Sequence, residues 1–314
     1  MFFVWIGIII VVLLLAFFIG TYIVYKMAFG RDDKRICGME DFPDTPFYTP
    51  YAERMRQDIR KFNEVPCEEV TTQSFDGLKL YGKYYHHKDN KPVLIFFHGY
   101  RSNAARDGSG IYAIGMNRDV NILVVTQRSH NESEGKCITF GINESRDCFS
   151  WIDYVKERFG QDTKVILWGI SMGAATVLTA AGRDLPDNVL GIGADCGYSS
   201  PKEIIKSVIK GMKLPVTPAY WLVKMGAAIY GGFDLEETSP LEAMKKVKVP
   251  VLFIHGVADD FVPCDMTHQN YEACVSDKSL VLVDGAGHGM SYYVDMKKTE
   301  EGVFAFLDKI LKEA

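Results

Sequence analysis

Hydrophobic and polar positions divide this chain unevenly. Phe2 to Tyr25 carries no charged side chain, and Lys26 is the first. At ~1.5 Å per residue those 24 positions make a helix of roughly 36 Å, enough to cross a bilayer core with some tilt. The segment is apolar all round, without the polar stripe of a surface helix. Gly30 to about Pro66 is polar and punctuated by Pro43, Pro46, Pro50 and Pro66, a connector with one short helix near Ala52 to Phe62.

Beyond the connector the pattern alternates. Val70 to Ser74 and Leu78 to Tyr85 read as a strand pair, with Asp76-Gly77 as the turn. Pro92–His98, Asn121–Thr126, Lys164–Gly169, Val189–Asp195, Val251–His255 and Leu280–Val283 are short apolar runs, as expected of strands buried on both faces. Between them, Asn143 to Phe159 places Cys148, Phe149, Ile152, Val155 and Phe159 at helical spacing. Ser171 to Gly182 reads as a small-residue buried helix, and Tyr292 to Leu311 as a final amphipathic one. Such βα alternation predicts an α/β sheet covered on both faces. More than 50 helix-like residues separate the strand ending near Asp195 from the one starting at Val251. This insertion, about 198–246, is expected to sit over the carboxyl edge of the sheet, where such folds bind ligands, or to add a packing layer without a role in recognition. The expected organisation is a transmembrane anchor over 1–26, a connector over 27–67 and an α/β domain over 68–314.

Composition narrows the field. Of 314 residues 47% are hydrophobic and 24% charged, which excludes intrinsic disorder. A net charge of −5 leaves no basic excess for a nucleic-acid partner. The segment before the span lacks Lys and Arg, and Ala16, Gly20 and Thr21 make a poor cleavage site, so a retained single-pass anchor in a lipid bilayer is expected over a signal peptide. Lys26, Arg31, Lys34 and Arg35 follow the span, which places the downstream domain on the cytoplasmic face; an exported orientation stays open. All seven cysteines (Cys37, Cys67, Cys137, Cys148, Cys196, Cys264 and Cys274) lie beyond the anchor, an odd number without a Cys-x-x-Cys. They read mostly as buried small residues, in keeping with a reducing compartment, and no metal is assigned.

The sharpest chemical signal is Gly169-Ile170-Ser171-Met172-Gly173, set between the strand VILW and the run Ala174-Ala175-Thr176-Val177. A serine on so tight a strand-to-helix turn needs small neighbours, and it needs a base, itself oriented by an acid, to become nucleophilic. In strand–turn–helix folds of this kind the partners follow in the order Ser, acid, His. Asp259 follows the strand Val251–His255, with Asp260 beside it, and His288 follows the strand Leu280–Val283. Asp195, at the end of an earlier strand, is a further candidate acid.

These motifs resemble the α/β-hydrolases, close to the bacterial branch of membrane-anchored esterases, lipases and serine aminopeptidases. The likeness covers about residues 68–312 and includes His98-Gly99, G-x-S-x-G, H-G-x-x-D-x-x-V-P (His255 to Pro263) and G-x-G-H (Gly285 to His288). It implies an α/β-hydrolase fold: a mostly parallel eight-stranded sheet, helices on both faces and a short helical cap. It implies Ser171 as nucleophile, His288 as base and acid, Asp259 as orienting carboxylate, and the backbone N–H groups of Tyr100 and Met172 as oxyanion hole. His98 would shape the oxyanion loop; His86, His87, His130, His255 and His268 are surface or packing residues by default. Many such hydrolases carry D-x-R-G-x-G-x-S where this chain reads Thr126-Gln127-Arg128-Ser129-His130-Asn131-Glu132-Ser133. Ser129 and Asn131 stand at the usual glycines, and the departure bears on substrate preference. Cys196 and Cys264 are expected near the pocket as buried small residues. The expected activity is hydrolysis of a small-molecule hydrophobic acyl ester through an acyl-enzyme, without a cofactor. Serine aminopeptidase activity and a catalytically silent, tethered binding protein are the alternatives; oligomeric state is not addressed by the sequence.

Overall fold

The computed structural model describes residues 1–36, 38 and 40–312; Cys37 lies outside the described residues. Helix α1 (Phe2–Ala28) runs unbroken for 27 residues, apolar and bare along most of its length. Only its last turns are covered: Thr21 and Tyr25 are buried, and Phe29 just beyond is fully enclosed. Helix α2 (Ala52–Glu64) interrupts the connector and buries Met55, Ile59 and Phe62.

Eight strands form one sheet: β1 (Glu68–Gln73), β2 (Lys79–Tyr85), β3 (Val93–Phe97), β4 (Asn121–Thr126), β5 (Val165–Ile170), β6 (Val189–Asp195), β7 (Val251–Gly256) and β8 (Lys278–Val283). Their order across the sheet is β1-β2-β4-β3-β5-β6-β7-β8. β2 pairs antiparallel with both β1 and β4, and every pairing from β4 to β8 is parallel. β3, β4 and β7 are buried at every position, because helices cover both faces and each residue meets a core. This is the α/β-hydrolase fold that the motifs imply.

One core lies under α4 (Glu144–Phe159) and α5 (Met172–Ala180), built on Trp151, Ile152, Leu167 and Phe253. The other lies under α2, α3 (Ala104–Met116) and the carboxy-terminal helices, around Leu94, Phe96, Trp168 and Phe306. Helix α3 escapes the sequence pattern because Gly108 and Gly115 take positions where larger residues would mark an apolar face. Both press on the sheet: a Cβ on Gly108 would stand 3.3 Å from Val124, and one on Gly115 only 2.7 Å from Ile122. The last helix is two, α10 (Ser291–Val294) and α11 (Met296–Lys312) in the numbering completed below, because Asp295 leaves helical geometry and accepts from Lys298 N at 3.0 Å.

A third apolar cluster sits over the carboxyl edge of the sheet. It joins Tyr25 and Phe29 to Ile138, Ile142 and Met172, and to the cap helices α6 (Pro201–Gly211) and α7 (Val216–Gly226). A π-helical turn, Ala227–Gly231, continues α7. Helices α8 (Pro240–Met244) and α9 (Asp265–Ala273) complete the fold; α9, short and polar, is also invisible to periodicity. Among the described residues Cys148, Cys196 and Cys274 are buried free thiols, Cys137 and Cys264 are partly covered and Cys67 is exposed.

Candidate active site

The site begins at the turn between β5 and α5. Ser171 holds φ 55° and ψ −117°, a conformation that L-residues rarely adopt. The flanking glycines make the turn possible: a Cβ on Gly169 would strike the Gly173 backbone, and one on Gly173 would strike the Phe97 carbonyl. Ser171 N donates to Asp195 O at 2.8 Å, tying the turn to the neighbouring strand.

Loops after β7 and β8 bring the partners. His288 Nε2 stands 2.9 Å from Ser171 Oγ, and His288 Nδ1 stands 2.7 Å from Asp259 Oδ2. The other Asp259 oxygen accepts from the N–H groups of Phe261 and Val262 at 2.9 and 2.8 Å. His255 adds a contact the sequence reading missed: fully buried, it places Nε2 3.0 Å from Asp259 Oδ2. Its position four residues before Asp259, inside H-G-x-x-D, was the available signal. Burial alone would raise the Asp259 carboxyl, but hydrogen bonds from His255 and His288 outweigh it and hold the group far below the usual carboxylate range.

Neither rival acid is a hydrogen-bond partner of His288, whose Nδ1 faces Asp259. Asp260 is exposed. Asp195 lines the same cavity as Ser171, with Oδ1 buried and without a partner among the described residues. Burial pushes its carboxyl up to about 7, against the pull of His255 and with a further push from Asp259. The thiol of Cys196 lies within 4.8 Å of an Asp259 carboxylate oxygen and a His288 ring nitrogen, yet burial, with Asp195 and Asp259 nearby, drives it well above its ordinary value. It is a neutral thiol beside a histidine whose Nδ1 already faces a carboxylate.

The loop after β3 packs against Ser171: a Cβ on Gly99 would lie 3.5 Å from the Ser171 Cβ. Gly99 N donates to Asp107 Oδ2 at 2.8 Å, and Asp107 Oδ1 accepts from Ser102 Oγ at 2.7 Å, so α3 holds the loop from below. His98 is enclosed; Nδ1 donates to Gly99 O at 2.8 Å while Nε2 accepts from Gln127 N at 3.1 Å. His130 repeats the device, with Nδ1 donating to Arg128 O at 2.9 Å and Nε2 accepting from Arg101 N at 3.0 Å. Burial lowers both imidazoles, His130 to about 3, so each stays neutral at physiological pH. Met172 opens α5, among the first helical N–H groups that have no partner within the helix.

Two segments outside the sheet reach the site. Tyr48 of the connector donates its hydroxyl to His288 O at 2.7 Å, and Phe47 fills the space above Gly287. The end of α1 meets the loop after β3: Tyr100 Oη donates to Ala28 O and Arg101 donates to Met27 O, each at 2.8 Å. Ile138 N donates to Phe29 O at 2.7 Å, and Arg31 donates to Ser133 O at 2.7 Å. The altered loop keeps its turn: Ser129 and Asn131 adopt φ 63° and 39° at the places where the D-x-R-G-x-G-x-S pattern has glycine. Tyr48, the loop after β3, α3 and the loop after β8 surround a cavity of about 230 Å³, whose wall includes Ser171, His288, Tyr100, Trp168, Ile111 and Ile114. More of its surface is apolar than polar.

A mostly parallel sheet with a strained serine at one strand-to-helix turn defines an α/β hydrolase. Residues 139–314 match the prolyl oligopeptidase family, and the chain belongs to it. Among curated proteins it is similar to Bacillus subtilis YqkD, an uncharacterised protein, at 27% identity over 80% of this chain and 83% of that one. Its fold is that of a Pyrococcus furiosus esterase (TM-score 0.66, 22% identity, 80% and 93% coverage). A Pyrococcus horikoshii acylaminoacyl peptidase shares it too, with a TM-score of 0.57 and 17% identity over 77% of this chain and 41% of that one. The protein is thus a member of a peptidase family that shares its fold with an esterase and with a peptidase.

Proposed function

We propose that the protein is a serine hydrolase of hydrophobic carboxylic esters, held to a membrane by residues 1–26 and carrying its chemistry in residues 68–314, with 27–67 as connector. The observation that carries the reading is the chain of contacts from Asp259 Oδ2 through His288 to Ser171 Oγ, at 2.7 and 2.9 Å, ending at the cavity wall. His288 takes the Ser171 proton as Oγ attacks the acyl carbonyl. Asp259 holds the imidazole in the tautomer that leaves Nε2 free and stabilises the imidazolium that forms. The N–H groups of Met172 and Tyr100 receive the developing oxyanion. The protonated His288 gives its proton to the leaving alcohol, and water activated by the same imidazole then releases the acid.

The mainly apolar cavity favours an acyl group as occupant. A peptidase reading draws support from the family match and from Asp195 Oδ1, buried and without a partner among the described residues, which suits an amine. The basic residues Lys26, Arg31, Lys34 and Arg35 after the span support a cytoplasmic domain over an exported one by the charge rule. A panel of activated esters of increasing chain length beside aminoacyl amides tests the assignment. Esters are expected to be turned over and Ser171→Ala to lose that turnover; turnover of amides alone would favour the peptidase, and undiminished turnover in the variant would remove Ser171 from the mechanism.

A further inference from the structure

Helix α7 runs beside α1 and in the same direction. Trp221 stacks on Phe17 with ring centroids 5.6 Å apart, Gly226 packs against Thr21 O, and Tyr230 meets Tyr22 and Tyr25 at 5.2 and 5.7 Å. Tyr230 also donates its hydroxyl to Phe18 O at 2.8 Å. Since the partners advance together, the turn between α6 and α7 lies toward the apolar, amino-terminal part of α1. That turn is apolar and uncovered: Met212 is 58% exposed and Leu214 50%, with Trp221 51% exposed further along α7. Around it the chain is basic. Lys210 and Lys213 flank it, exposed and without an ion pair among the described residues, whereas Lys206 pairs with Glu203, Lys202 with Glu236, and Lys224 with Asp234 and Glu236.

We propose that the α6–α7 hairpin is a second membrane-docking element, with Met212, Leu214 and Trp221 entering the interface of the bilayer that α1 spans and Lys210 and Lys213 meeting anionic headgroups. The proposal rests on the reading of α1 as a retained anchor. Three independent features agree on the occupant. The apolar face is continuous with the span through the Phe17–Trp221 contact, its charge opposes that of anionic lipid, and tryptophan is the residue suited to an apolar–aqueous boundary. A hairpin fixed to the span at Phe17, Thr21 and Tyr25 has no freedom to leave the membrane while α1 remains in it. Tyr100, which lines the cavity and bonds Ala28 O, then puts the Ser171 site beside the lipid surface.

The test uses the full chain in vesicles of phosphatidylcholine with phosphatidylglycerol, part of the lipid brominated on its acyl chains. Of the four tryptophans, Trp151 and Trp168 are buried in the protein, so Trp5→Phe leaves Trp221 as the exposed reporter. Quenching of that protein is expected to fall at least twofold when Trp221→Phe is added. Lys210→Glu and Lys213→Glu together are expected to weaken the Trp221 signal while leaving turnover of a short soluble ester unchanged. Equal quenching with and without Trp221 overturns the docking and leaves a second copy or a protein partner as the cover for this face. Quenching that ignores the charge reversal overturns the choice of an anionic surface. Quenching requires no turnover, so a failure of the hydrolase reading is seen separately, and extraction of the protein by alkaline carbonate marks a failure of the anchor.

Discussion

Asp147 and Asp259 are both buried carboxylates, and their surroundings differ in one respect that separates scaffold from chemistry. Asp147 meets the Arg128 guanidinium through both oxygens, at 2.6 and 2.7 Å. Arg128 in turn takes Asp76 at 3.0 Å and lies over the Phe75 ring, so the network closes on itself. Glu144 nearby is closed in the same way, accepting from Thr139 and Gly141. Asp259 is as well satisfied on its inner side, but its outer contact is an imidazole whose far nitrogen ends at a hydroxyl on the cavity wall. The first network fixes loops; the second is open at one end and can pass a proton.

Replacing residues in each network should therefore have different consequences. Ser171→Ala removes the open end and is expected to lower ester turnover at least about 10⁴-fold while the unfolding temperature holds, measured by single-turnover kinetics and thermal unfolding. Asp259→Asn is expected to cost about 10³- to 10⁴-fold in kcat, because the imidazole loses its oriented tautomer. Asp195→Asn, which shares the cavity but touches neither His288 nor Ser171 Oγ, should cost less than about tenfold by the same assay. A larger loss at Asp195 than at Asp259 would reverse the assignment of the acid.

The closed network responds in stability. Arg128→Met strands Asp147 in the interior and is expected to destabilise the fold by about 3–5 kcal/mol, read from denaturant unfolding of the detergent-solubilised full chain. Turnover per folded molecule should stay within about threefold of the parent, since Arg128 touches no reacting atom. A smaller effect belongs to the neutral pair His98 and His130. Their native pKa values lie below the ordinary 6.5, so the unfolded chain binds protons that the native state does not. Stability should then be fully present above about pH 6.5 and fall as pH drops from there toward 3, and His130→Gln should flatten that slope. The smallest effect is at the strained turn. Ser171→Gly relieves φ 55° and should be more stable than Ser171→Ala by about 1–2 kcal/mol.

Sequence made the strands and the candidate nucleophile readable for a physical reason: both are local. A strand buried on both faces must be an unbroken apolar run, and a tight strand-to-helix turn must flank its serine with small residues, as Gly169 and Gly173 do. Asp259 and His288 then follow from their places after β7 and β8. The residues that escaped act through tertiary contact. Tyr48 sits in a proline-rich connector with no regular period, and only docking brings it to His288 O. His255 looks like any strand-end residue until the backbone turns Asp259 back onto it. The packing of α7 along α1 was equally hidden, because a uniformly apolar helix does not declare which of its faces meets protein.

The open end of the second network is tested most directly by labelling the intact protein with a fluorophosphonate and locating the adduct by peptide mass spectrometry. One phosphonyl group on Ser171, absent from Ser171→Ala and much slower to form in Asp259→Asn, is the expected result. An adduct on another residue, or equal labelling of the Ser171→Ala protein, would contradict the account.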